Sequence, residues 1–235
     1  KIAAEVFPDV DAVAVVSPSP DALTDAPEMI ANRYIFNILP SYFEQFGAEY
    51  FVKLANGEPD IDIEELAAFV QNRANVGLVG VPNKLYPLIQ KLIEMDISLG
   101  EHGYIGTGGG WKGMDGVSME QFRSTITGLD ADSTEHIDVY AATEFTGFFT
   151  NRCGSQNPDK KRVPSQFFVY TANEDTFKQS GRIEPTNDGE PGLLTIVDPL
   201  NIDAPGVIFT DDIVRKTGGV YGPDVRIEYI GRSSL

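Results

Sequence analysis

Apolar and polar positions along the chain follow two periods. In DIEELAAFVQNRA (62–74), NKLYPLIQKLIEM (83–95) and SMEQFRSTITGL (118–129) the apolar residues recur every three to four positions, which lines one face of a helix. Asp62 stands where the N-cap of the first of these belongs. A longer amphipathic segment, APEMIANRYIFNILPSYFEQFG (26–47), is interrupted by Pro40. Between the helical stretches lie short apolar runs bounded by turn residues: EYFVKL (49–54), VGLVGVP (76–82), GYIGTG (103–108) and HIDVYA (136–141). These read as strands. Strand and helix alternating at this spacing predict an α/β fold with a mostly parallel sheet and flanking helices.

The pattern changes after residue 150. TNRCGSQNPDKKRVPSQ (150–166) is polar and loop-like, and then QFFVYT (166–171), GLLTIVD (192–198), GVIFTDDIV (206–214) and RIEYIG (226–231) alternate like short antiparallel strands. The expectation is an α/β subdomain over 1–155 followed by a smaller antiparallel β subdomain over 156–235.

Composition narrows the function classes. The chain has 235 residues, 42% of them apolar, enough for one large domain or a domain and a smaller partner. No apolar run approaches the ~20 residues of a membrane helix, so no membrane span is expected. Against 35 acidic residues stand 18 basic ones, a net charge of −17, which argues against nucleic acid as a partner. Cys153 is the single cysteine, so no internal disulfide forms. With no amino-terminal signal pattern, a reducing, cytoplasmic setting is expected.

The densest chemical signal is GYIGTGGGWKGMDG (103–116). A Walker-type phosphate loop is excluded, because Trp111 separates Gly110 from Lys112 and Gly113 stands where a hydroxyl is needed. Gly108, Gly110 and Gly113 match the dinucleotide pattern G-x-G-x-x-G, with Asp130 and Asp132 further on, which leaves an NAD-dependent oxidoreductase as one reading. A tight strand-to-helix turn with Trp111 packed on it and Lys112 in solvent is another.

Further segments follow the glycines in a fixed order. VYAATE (139–144) sets Tyr140, Thr143 and Glu144 at a predicted strand end; GEPGLLTIVD (189–198), GVIFTDDIVRKTGG (206–219) and RIEYIGR (226–232) come next. VGLVGVPNKLYPLI (76–89) precedes them. Over roughly residues 70 to 232 this order resembles the acyl-protein synthetase (LuxE-like) family of the adenylate-forming acyl/aryl-CoA synthetase superfamily. The pattern there runs from a glycine-rich strand end through Y-G-x-T-E, G-E-x-G-x-L and T-G-D to a terminal G-R. The G-G-G-W-K form is closest to the acyl-protein synthetases of bacterial bioluminescence, which activate a fatty acid for an acyl reductase.

The resemblance implies a ligase. ATP and a carboxylate give an acyl-adenylate, and a thiol on a protein or other acceptor then takes the acyl group. It implies that Gly108, Gly109 and Gly110 give adenine a bare backbone floor and that Tyr140 stacks on the base. Thr143 would bind a phosphate oxygen and Glu144 a Mg²⁺ ion that offsets charge on pyrophosphate. Asp212 would accept from the ribose hydroxyls, and Arg232 would lie near ribose and α-phosphate. Phe145, Gly147 and Phe148 would line the acyl channel. An acyl reductase is the implied protein partner.

Departures are visible as well. Ala141 and Asp211 replace motif glycines. The phosphate loop expected before the glycine stretch and the carboxy-terminal lid have no match, so the resemblance implies a central fragment. Cys153 has no cysteine or histidine partner for zinc, and His102 and His136 are too scattered along the chain for a metal or a nucleophile relay. Three other readings remain beside the acyl-protein synthetase: an aryl-CoA ligase of the phenylacetate type, the NAD-dependent oxidoreductase, and a non-catalytic binding module.

Overall fold

The structure is a computed structural model that describes residues 10–19, 21–22, 47–55, 58–109, 114–129, 134–141, 147, 149–151, 159–201 and 206–233. The helix expected over 26–47 lies outside these residues up to position 46. Two compact units divide the chain, Lys1–Asp138 and Val139–Leu235.

The first unit is built on β1 (Ala12–Pro18), every residue of which is buried. AVAVVSP has no alternation because both faces of the strand are covered, as in parallel sheets flanked by helices. Strands β2 (Glu49–Ala55) and β4 (Val76–Gly80) pair with β1 in parallel on its two sides. β5 (Tyr104–Thr107) adds in parallel to β4, and the first four residues of β6 (Glu135–Tyr140) add in parallel to β5. Among the described strands of this unit only β3 (Glu58–Ile61), at the β2 edge, is antiparallel. The sequence pattern anticipates β2, β4, β5 and β6 and misses β1 and β3.

Helices cover this sheet. α1 (Ile63–Gln71) starts at Asp62, whose carboxylate accepts from the N–H groups of Glu64 and Glu65 at 3.1 and 3.0 Å. It buries Leu66, Ala67, Phe69 and Val70. α2 (Pro82–Glu94) opens on a proline, which has no N–H to leave unpaired, and buries Leu85, Leu88, Ile89 and Leu92. α3 (Met119–Ile126) opens with a reciprocal capping box between Ser118 and Gln121. One close approach depends on a missing side chain. A Cβ at Gly77 would stand 2.3 Å from the ring of Tyr104, its partner across the β4–β5 ladder, so the glycine makes room for a fully buried tyrosine.

The second unit is an antiparallel sheet. The last two residues of β6 pair with β7 (Phe149–Thr150), and β8 (Lys160–Arg162), β12 (Arg226–Arg232), β11 (Val207–Thr217), β10 (Pro191–Val197) and β9 (Phe168–Ala172) follow in that order. Phe149, Phe167, Leu194, Ile196, Val214 and Ile227 form the centre of its core. A short helix, α4 (Glu174–Ser180), interrupts the strands. Asn173 caps it, Gly181 ends it at φ 66°, and none of its residues is buried. Lys216 is nearly enclosed at 3% exposure. Its ammonium pairs with Asp188 and donates to the Gly219 carbonyl at 2.8 Å, while the Gly219 N–H donates to Asp188 Oδ2 at 2.9 Å. Among the described residues no helix is long and apolar enough to cross a membrane.

Candidate functional site

In the second unit, three of the motif residues meet. Asp212 lies where β11 departs from regular pairing. On the β10 side, Leu193 faces Ile213 but Thr195 faces Phe209, so two steps on β10 answer four on β11. On the β12 side, Ile213 faces Gly231 while Val214 faces Tyr229, which leaves Ile230 as an extra, bulged residue. Without that bulge Asp212 would face Gly231; with it, Asp212 faces Arg232. Bulges re-aim side chains in this way.

The carboxylate of Asp212 accepts from the Tyr140 hydroxyl at 2.5 Å through Oδ2, and Arg232 Nε lies 3.4 Å from Oδ1. The arginine contact is long for a charge-assisted bond and its side chain is 62% exposed, so the tyrosine is the stronger partner. Asp212 itself is 9% exposed. Its N–H donates to Thr210 Oγ1 at 3.2 Å, and the Ser233 N–H donates to the Asp211 carbonyl at 2.7 Å, fixing the chain on both sides.

Tyr140 reaches this carboxylate from four strands away in the sheet order, a separation of about 19 Å in a flat sheet. The 2.5 Å contact therefore requires the sheet to curl. β7 and β8, of two and three residues, lie between β6 and β12 in the sheet order. Tyr140 stacks on Phe149 with ring centres 5.7 Å apart, and Phe149 meets Phe167 edge-on at 5.6 Å. Tyr229 belongs to the same neighbourhood. Burial, and next the negative charge of Asp212, push its phenol above its ordinary value, and Arg232 opposes the shift.

The other expected residues fall elsewhere. In the first unit, the Gly108 N–H donates to the Gly80 carbonyl at 3.3 Å, and Gly109 takes a left-handed φ of 82°, which glycine alone adopts without strain. Gly147, in the second unit, lies against the core: a Cβ there would come 2.7 Å from the Phe167 ring. Gly110, Trp111, Lys112, Thr143, Glu144, Phe145, Phe148 and Cys153 lie outside the described residues. Among the described residues no three His, Cys, Asp or Glu side chains converge as a metal cradle.

His136 has a local partner of its own. Where the end of β5 meets β6, the Thr107 hydroxyl donates to Asp138 Oδ1 at 2.8 Å and lies 2.9 Å from His136 Nε2. A hydroxyl has one proton, so the histidine nitrogen is the donor in the second contact. The signal was present in the alternation of β6, since His136 and Asp138 share one face.

An α/β chain with a mostly parallel sheet, an antiparallel second unit and a Tyr–Asp–Arg cluster is the class these observations define. The sequence matches the family described as acyl-protein synthetase, LuxE, over residues 33–234, and the chain belongs to that family. It is 28% identical over 154 residues to the long-chain-fatty-acid–luciferin-component ligase of Aliivibrio fischeri, an alignment covering 64% of this chain and 39% of that protein. The chain thus spans well under half of that relative's length. Among solved structures, the inhibitor-bound N-terminal domain of FACL13 from Mycobacterium tuberculosis is similar at a TM-score of 0.56 and 15% identity, covering 98% of this chain and 53% of that one. CmiS6 gives 0.55 at 14% identity, with 98% and 55% covered. The amide bond synthetase McbA from Marinactinospora thermotolerans gives 0.55 at 11%, with 98% and 43% covered. At these identities the likeness is one of fold, and it meets the α/β expectation.

Proposed function

We propose that this chain carries the adenylating core of an ATP-dependent acyl-protein synthetase, which activates a fatty carboxylic acid for transfer to a protein thiol. One observation carries the reading. Asp212 accepts from Tyr140 and faces Arg232, so residues from three separate motifs converge on one carboxylate. Family membership and the fatty-acid ligase named among the relatives support the same class of reaction.

In this reading the substrate carboxylate attacks the α-phosphorus of ATP. The bond to the bridging oxygen breaks, and pyrophosphate leaves with the electron pair. The acceptor thiol then adds to the acyl carbonyl, expels AMP and gives up its proton. On the motif alone, adenine stacks on the ring of Tyr140, and Gly108, Gly109 and Gly110 are the glycines that the pattern assigns to the base. Asp212 accepts from the ribose hydroxyls, and Arg232 supplies a permanent cation near ribose and α-phosphate. On the motif alone, Thr143 would bind a phosphate oxygen and Glu144 would hold a Mg²⁺ ion, whose charge would offset that of the leaving group. Phe145, Gly147 and Phe148 line the acyl channel by the same motif. The setting is cytoplasmic and the onward partner an acyl reductase.

The test is calorimetric titration with a stable fatty-acyl sulfamoyl adenosine, with NAD as control, on the wild type and Asp212→Ala. Binding of the mimic that Asp212→Ala abolishes is the expected outcome. Binding of NAD in its place would return the protein to the oxidoreductase class.

A further inference from the structure

We infer that the Tyr140 hydroxyl is a positioning group: it fixes the Asp212 carboxylate so that the site selects a sugar with a free vicinal diol. The inference rests on the nucleotide reading above and adds a job that stacking does not require. A face-on contact with a base uses the ring of Tyr140; phenylalanine would serve it equally well. The hydroxyl, however, is spent on Asp212 Oδ2 at 2.5 Å.

The arrangement is rigid from the core outward. Phe167 has no exposure and meets Phe149, Phe149 stacks on Tyr140, and Tyr140 donates to Asp212. The other side-chain partner, Arg232, is mostly in solvent and 3.4 Å away, so it defines the carboxylate plane poorly. An ionised carboxylate offers about four lone-pair positions. Tyr140 occupies one on Oδ2 and Arg232 faces one on Oδ1, so that among the described residues one acceptor on each oxygen is left for a ligand. That pair of acceptors suits two neighbouring hydroxyls on one ring. A carboxylate free to rotate would lose this match, because freezing it would then fall to the ligand.

The experiment compares Tyr140→Phe with wild type against two probes, fatty-acyl sulfamoyl adenosine and its 2′-deoxy counterpart. Wild type should prefer the ribo form by roughly tenfold, the scale of one lost hydrogen bond to a charged group. Tyr140→Phe should weaken the ribo probe by about the same factor and leave the deoxy probe within about twofold. Its melting temperature should fall by a few degrees at most for the lost bond, and it is the retained binding of the deoxy probe that separates positioning from folding. If Tyr140→Phe keeps the preference for the ribo form, or weakens both probes equally, the inference fails while loss of binding in Asp212→Ala still upholds the nucleotide site. If wild type binds neither probe, both readings fall together.

Discussion

In the first unit the polar chemistry stands at the margin of the parallel sheet: Thr107 closes β5, and His136 and Asp138 face it from β6, the last parallel strand. The middles of β1 and β4 are wholly apolar or glycine. In the second unit two charged residues, Asp212 and Lys216, are buried within the span of a single strand. The difference follows from the ladders. A parallel sheet covered on both faces keeps mid-strand positions dry, where an unpaired charge costs several kcal/mol. An antiparallel sheet that bulges on both sides of Asp212 opens a local gap in which a charge finds a hydroxyl, a guanidinium or a carbonyl.

The comparison breaks most readily in the first unit. Leu78→Ala removes a side chain with no exposure and should lower stability by about 3 kcal/mol in denaturant titration. Hydrogen exchange should accelerate in β1, β4 and β5 while β10, β11 and β12 keep their protection. Equal acceleration in both units would mean that they unfold as one body. In the second unit the expected cost comes from charge. Asp188→Asn leaves the enclosed Lys216 ammonium without its anion and should cost about 2 kcal/mol, less than a fully buried pair because Asp188 is 45% exposed. Lys216→Met should cost only about 1 kcal/mol, since Asp188 then turns to water. A reversed order would refute the account of the buried charge.

The smallest expected effect is at Tyr229. Its raised value means that the folded state holds the phenol proton more tightly than the unfolded chain. That stabilisation is complete below the ordinary value of 10.0 and is lost as pH climbs from there through the folded value. In Asp212→Asn the titration of Tyr229, followed by ultraviolet absorbance, should move down toward the ordinary value, because a neighbouring negative charge is gone while burial remains. No movement would separate Tyr229 from the Asp212 cluster.

How much of this was legible depended on the kind of signal each residue carried. α1, α2 and α3 show apolar spacing, and their caps are local. β1 carries the same unbroken apolar run as β4 and was legible on that ground, whereas α4 was not, because EDTFKQS buries nothing and so has no stripe. Tyr140, Asp212 and Arg232 were chosen from motif order alone. Their contact was not legible, since it depends on two register shifts and a curl that joins residues 72 apart. Thr107, His136 and Asp138 were within reach of the strand alternation, but only once β5 and β6 are known to be neighbours.

The enclosure of Lys216 also bears on chemical self-damage. In the reaction proposed above the acyl-adenylate is a mixed anhydride, and a free amine nearby would compete with the acceptor thiol for its acyl group. Lys53 and Lys91 expose 62% and 58% of their side chains, whereas Lys216 exposes 4% and its ammonium is held by a carboxylate and a carbonyl. In that reaction exposed amines would react with a stray acyl group more readily than Lys216, and the lysine that ties the β11 turn to its neighbouring loop would be spared.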